Sequence, residues 1–126
     1  MTDRLAADVL ALLRDTREVQ IETRPAPDVP PHRTAIWVVI DYQDRALIRT
    51  YRGPHSRWYR EATAAGTARI LAAGHVIDVR VEHAADPERI EAYSTEMRRK
   101  YRTSRASVAA MLLPDVLPTT LELLPA

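Results

Sequence analysis

The stretch RTYRGPHSRWYRE, running from Arg49 to Glu61, sets four arginines, two tyrosines and a tryptophan around a Gly-Pro break. Arg carries a planar fork of donors that matches a phosphate or a carboxylate. The break, followed by Ser56 as a helix N-cap, places free first-turn N–H groups beside those side chains, which makes an anion site. Each charge-assisted Arg contact there would contribute roughly 1.5–3 kcal/mol. Trp58 and Tyr59 would supply a flat apolar wall. Strand alternation assigns Arg49 and Tyr51 to one face, with Thr50 and Arg52 on the other. The same residues also have a structural reading, in which Arg57 pairs with Glu61 at i, i+4 and Trp58 anchors the helix to its sheet. Trp37, inside an all-apolar run, likewise reads either as a core or dimer-interface side chain or as a surface for a ligand ring.

Other chemistries have less to stand on. The chain has no cysteine, which excludes disulfides, thiolate metal sites and a Cys nucleophile. His32, His55, His75 and His83 show neither HxxxH nor HExxH spacing, so no metal site is expected. His32 and His55 are the two that fall near the anion site. No serine lies in a GxSxG elbow, and no pair of carboxylates marks itself as acid and base, so the catalytic residues stay unknown.

Composition sets the frame. At 126 residues, 46% of them hydrophobic and 28% charged, the chain reads as one soluble globular domain spanning 1–126. A net charge of +1 gives no general nucleic-acid footprint. Seventeen of the eighteen basic residues are Arg, and Lys100 is the one Lys. Codon usage in a GC-rich genome accounts for that excess, but not for its clustering. No apolar run approaches the roughly 20 residues that span a bilayer. Asp3, Asp8 and Asp15 make the N-terminus unlike a signal peptide, and the expected location is the cytoplasm.

The elements that must position the Arg-rich stretch follow from periodicity. A helix capped by Thr2 or Asp3 runs to about Thr16, with Leu5, Val9, Leu12 and Leu13 as its stripe. VQIETR alternates as a half-exposed strand. PAPDVPPH, with its four prolines, is a stiff loop. TAIWVVID, apolar from Ala35 to Ile40, predicts a central strand buried on both faces. It turns near Gln43-Asp44 into RALIRTYR as a hairpin. RWYREATAA forms a short helix closed by Gly66. TARILAA and HVIDVRVEHA flank Gly74 as a second hairpin. Asp86-Pro87 starts a helix with Ile90, Tyr93, Met97 and Tyr101 on its apolar side. A shorter helix from Ser104 ends by Pro114, and TTLELL is the last strand. This order predicts an α+β, mainly β, fold: a small antiparallel barrel of about six strands with helical cover.

HRTAIWVVIDYQDRALIRTYRGPHSRWYREATAAGTARI resembles the split β-barrel proteins that bind flavin or deazaflavin, those of the pyridoxamine-phosphate-oxidase-like fold. It is similar to the bacterial family known as domain of unknown function 2255, and to the deazaflavin-dependent nitroreductases. In the latter a Thr-Pro-Leu strand precedes a hairpin, a glycine-rich turn and a Pro-x-Trp-Tyr-x-Asn-Leu helix. The matching pieces are Arg33-Thr34-Ala35-Ile36, Arg52-Gly53-Pro54 and Ser56-Arg57-Trp58-Tyr59, and the likeness extends from about Val19 to Pro125. It implies FMN or a deazaflavin of the F420 type as cofactor. It assigns Arg49, Arg52 and Arg57 to the cofactor phosphate and sets Trp37 and Tyr51 near the ring. Arg33 and Trp58 belong to the same cofactor-binding set. It also implies a homodimer with the site at the subunit interface. The chain departs from the nitroreductase pattern at Glu61-Ala62 and Gly66-Thr67, where that family has Asn-Leu and Asn-Pro, and Pro54 removes one N–H donor.

Two functions from different classes follow: a flavin- or deazaflavin-dependent oxidoreductase, and a cofactor-free split-barrel module that binds a small ligand or a protein. Haem binding on the same fold would need an axial ligand from the four histidines. Single-stranded nucleic-acid binding would show as steep salt dependence.

Overall fold

The computed structural model describes residues 3–126. The first helix, α1 (Ala7–Asp15), begins later than expected. Ala6 holds the N-cap position without a side-chain bond, while Asp3 pairs with Arg80 at 3.0 Å. Thr2, the other expected cap, lies outside the described residues. Leu10 and Leu13 form the buried stripe of α1.

Seven strands build the sheet: β1 (Val19–Thr23), β2 (His32–Ile36), β3 (Val39–Ile40), β4 (Ala46–Ile48), β5 (Thr67–Ala72), β6 (His75–His83) and β7 (Leu121–Pro125). All neighbours run antiparallel in the order β2-β1-β5-β6-β7-β4-β3. The TAIWVVID run is therefore not one central strand. It breaks at Trp37-Val38, and its halves occupy opposite edges of the sheet, which also raises the expected six strands to seven.

That break dictates the overall shape. Laid flat, six inter-strand gaps of ~4.8 Å would hold the edges about 29 Å apart. Two residues between Ile36 and Val39 let the edge strands separate by no more than roughly 11 Å. The sheet must curl until its edges nearly meet, which gives a split barrel.

Burial explains why Val38, Val39 and Ile40 are all apolar. Val38, Ile40, Ala46 and Ile48 face the barrel interior with Ile21, Ile70, Leu121 and Leu123. The cross-strand partners Val39 and Leu47 face outward, against Tyr93, Met97 and Tyr101. Removing one such aliphatic side chain from water contributes about 1.5–3 kcal/mol.

The helices keep to their sequence signals. In α2 (Arg57–Ala65), Gly66 ends the helix at φ 74°, a left-handed conformation that glycine adopts without a Cβ clash. In α3 (Pro87–Lys100), the Asp86 side chain accepts from the Arg89 N–H at 3.0 Å, with Pro87 in the first turn. The short α4 (Arg105–Ala110) buries no residue of its own, and a 3-10 turn over Leu117–Thr119 leads into β7. Among the described residues no helix is long and apolar enough to cross a membrane.

Candidate functional site

The Arg-rich stretch leaves the sheet immediately after Ile48, and the expected alternation stops with it. Arg49 and Thr50 are both buried, at 1% and 0% exposure, while Tyr51 is 51% exposed. Side-chain hydroxyls from the approach to β7 replace the ladder. The Thr50 N–H donates to Thr119 Oγ1 at 3.2 Å, and the two threonine hydroxyls share a bond of 2.8 Å. The Gly53 N–H then donates to Thr50 Oγ1 at 3.0 Å. Gly53, at φ 98°, redirects the chain toward α2. The Ser56 hydroxyl donates back to the Gly53 carbonyl at 2.8 Å instead of capping the helix. No side chain caps the first turn of α2, and no acid lies in it. Its leading N–H groups stay available to an anion.

A cavity of about 730 Å³ opens at this point. One wall is β2 and the residue after it, from Thr34 to Trp37. A second is the turn and α2 start, where Arg52, His55, Ser56, Arg57 and Trp58 line it. Ser107 and Met111 border it from the α4 side, and Glu18 is its one acidic lining residue.

Six of the seven sequence-predicted site residues line this cavity: Trp37, Arg49, Tyr51, Arg52, Arg57 and Trp58. Arg33 does not. It points to the outer face of the sheet, where its Nε donates to Glu22 at 3.1 Å in a row that continues through Arg69 to Asp78. Period-two alternation from Thr34 dictates that outward direction.

Arg49 borders the cavity, but its donors are engaged in the interior. Nε donates to Thr120 Oγ1 at 2.8 Å, Nη1 to Ser94 Oγ and the Met111 carbonyl at 3.0 Å each, and Nη2 to the Ile90 carbonyl at 2.9 Å. Its guanidinium carbon lies 4.5 Å from the centroid of the Tyr93 ring. Burial pushes the group down to about 10, still protonated at neutral pH. Four of the five N–H donors of Arg49 thus tie α3 and the Met111 turn to β7.

Arg52 and Arg57 are exposed and make no salt bridge or side-chain hydrogen bond among the described residues. The expected Arg57–Glu61 pair does not form. Glu61 instead accepts from Thr23 Oγ1 at 2.9 Å and meets His32 Nδ1 at 3.1 Å, which fastens α2 to β1 and β2. Burial raises the Glu61 carboxyl, yet the bonds from His32 and Thr23 and the nearby charges of His32 and Arg57 outweigh it and hold it below its ordinary value.

The two tryptophans of the cavity differ in burial. Trp58 is 5% exposed and belongs to the barrel core as well as to the cavity wall. Trp37 is half-buried and stacks on Tyr101, with ring centroids 3.9 Å apart and planes 4° from parallel. The sequence offers no sign that Glu18, Ser107 and Met111 contribute to the site. They lie far from the Arg-rich stretch in the chain, and nothing in their spacing relates them to it. Among the described residues no group of three or more His, Asp or Glu could hold a metal ion.

A curled antiparallel sheet, open between its edge strands, with an uncapped helix start beside two free arginines, defines a protein of the split β-barrel class. The sequence matches the family described as "Uncharacterized protein conserved in bacteria (DUF2255)" over residues 9–123, and the chain belongs to that family. No curated protein matches it in sequence. Solved structures share its fold. HutZ, the heme storage protein of Vibrio cholerae, is 13% identical with a TM-score of 0.67, over 98% of this chain and 91% of its own. An FAD-binding protein of Mesorhizobium loti is 20% identical with a TM-score of 0.60, over 100% and 94%. Atu2129 of Agrobacterium tumefaciens, of unknown function, is 16% identical with a TM-score of 0.64 over 98% of this chain, which spans only 56% of Atu2129.

Proposed function

We propose that the cavity binds a flavin or deazaflavin, with the phosphate on Arg52, Arg57 and the free N–H groups of α2, and with the ring against Trp37 and Tyr51. One observation carries the reading: two unpaired arginines, an uncapped helix start and an aromatic wall converge on a single cavity of about 730 Å³. That volume falls within the 300–1,000 Å³ range common for small-molecule and cofactor sites. The donor set suits a phosphate, and the Trp37 ring suits a flat heterocycle. Pro54 takes one N–H from the turn, which gives the side chains of Arg52 and Arg57 a larger share of the phosphate contacts.

The bound cofactor would supply hydride chemistry, making the protein an oxidoreductase. The residues of this chain would bind and orient the cofactor and shield it from water. The split-barrel neighbour described as FAD-binding supports this reading. In this reading the active form is a homodimer, in which a second copy would cover exposed side chains such as Tyr51 beside the cavity. Its site is the cytoplasm.

A second reading rests on His55. It is a cavity-lining imidazole, and a structural neighbour is described as a heme storage protein. In that case His55 would be the axial ligand.

Titrations with FMN, a deazaflavin and hemin, followed by Trp fluorescence and visible absorbance, separate these readings. Saturable quenching by FMN or deazaflavin that weakens in Arg52→Ala and Arg57→Ala supports the flavin site. A hemin Soret shift that His55→Ala abolishes favours haem. Protein that takes up none of the three contradicts both and leaves a cofactor-free module.

A further inference from the structure

Helix α3 lies behind the aromatic wall of the cavity. Three side chains, two on the helix and one just past its end, hold the kink where the apolar run breaks. Tyr93 donates its hydroxyl to the Trp37 carbonyl at 3.3 Å. Lys100 Nζ donates to the Val38 carbonyl at 2.7 Å and to the Leu13 carbonyl at 2.9 Å. Tyr101, just past the helix end, stacks on the Trp37 indole and donates its hydroxyl to the Arg17 carbonyl at 2.6 Å.

The Arg17 guanidinium lies 5.9 Å from the Trp37 ring centre and 5.3 Å from that of Tyr101. A group almost equally far from two rings stacked 3.9 Å apart sits at the edge of the stack. It therefore does not cover the indole face opposite Tyr101.

The geometry points to Lys100 as a positioning residue for Trp37: its ammonium fixes the kink that turns the indole toward the cavity, so its charge couples pH to ligand affinity at that wall. The inference rests on the reading of Trp37 as a ligand-facing wall. Lys100 is the chain's one lysine. Both of its hydrogen bonds go to backbone carbonyls, and it makes no salt bridge among the described residues.

Several charged groups near it are matched to one another. Arg14 of α1 pairs with Asp44 at 3.4 Å, Asp41 with Arg45 at 2.6 Å, and Glu96 with Arg99 of α3 at 3.4 Å. All of these groups except Arg45 border a second cavity with Lys100. Burial pushes the amine down to about 8, with Asp15 opposing and Arg17 adding to that shift. Tyr93 and Tyr101 are pushed up by burial, so neither phenol titrates in the same range. A charge-assisted bond is roughly twice as strong as a neutral one. Loss of the proton therefore loosens the hold on Val38, next to Trp37.

The test reads Trp37 in ligand-free protein. Its fluorescence is followed on either side of pH 8, with Trp37→Phe used to assign the signal. The expected result is a titration centred near that pH, absent from Lys100→Met and moved out of range in Lys100→Arg. FMN affinity should also fall about threefold or more above the transition in the native protein, and stay level in Lys100→Met. A flat Trp37 signal, or the same titration in Lys100→Met, overturns the inference. Failure of FMN to bind at any pH would instead sink the flavin reading, while the ligand-free signal would still decide the role of Lys100.

Discussion

The indole of Trp37 and the phenol of Tyr101 lie face to face at 3.9 Å and 4°, although 64 positions separate them in the chain. Trp37 follows β2, and Tyr101 follows α3, so the contact joins the sheet edge to its helical cover. It also backs the wall on which a ligand ring would rest.

Tyr101 is fully buried. Tyr101→Phe keeps the stack and loses the 2.6 Å bond to the Arg17 carbonyl, a cost of about 1 kcal/mol. Tyr101→Ala removes both and should cost roughly 3–5 kcal/mol. Urea unfolding of the two variants checks the difference. The Phe variant should bind ligand as the native protein does, and the Ala variant more weakly.

Arg49 should matter for stability. Arg49→Ala leaves Thr120 Oγ1, Ser94 Oγ and two carbonyls without their donor and opens a cavity, which predicts a loss of roughly 3–5 kcal/mol. Arg52→Ala and Arg57→Ala, at exposed positions, should stay within about 0.5 kcal/mol of the native protein. Equal stability of all three variants in chemical denaturation would contradict this division of roles.

These contrasts show how far the sequence carries. Asp86-Pro87, Gly66 and the Gly53-Pro54 break act through their own backbone, so each is legible locally and appears where expected. The split of the apolar run at Trp37-Val38 has no glycine or proline to announce it. It is imposed by barrel closure and by α3, which lies about sixty residues downstream. The fate of Arg49 is hidden for the same reason. Its partners Ile90, Ser94, Met111 and Thr120 lie 41, 45, 62 and 71 residues away. Charge and residue type mark Arg49 and Arg52 equally as candidates for an anion, and only tertiary packing separates them. The clustering of Trp37, Arg52, Arg57 and Trp58 around one cavity could be anticipated because the turn and α2 bring most of them together over a short span.

Lys100 gives stability a pH dependence of definite sign. Folded Lys100 loses its proton at about 8, whereas in the unfolded chain it holds it to the ordinary value of 10.5. Between these values the unfolded state binds more protons, so stability rises with pH across that window. Below about 8 both states are protonated and the full burial penalty is present. Denaturation midpoints measured through the window should climb in the native protein, and Lys100→Met should remove that climb. A slope unchanged in Lys100→Met would locate its origin elsewhere.

The most direct test of the central claim compares FMN with riboflavin, which has the same ring and no phosphate. If Arg52 and Arg57 hold the phosphate, FMN should bind more tightly by about tenfold or more, since each charge-assisted contact contributes roughly 1.5–3 kcal/mol. That advantage should shrink in each single alanine variant and shrink furthest in the double variant, where only the N–H groups of α2 remain for the phosphate. Equal affinity for the two ligands, or an FMN preference undiminished by removal of both arginines, would contradict the assignment of this cavity to a phosphate-bearing flavin.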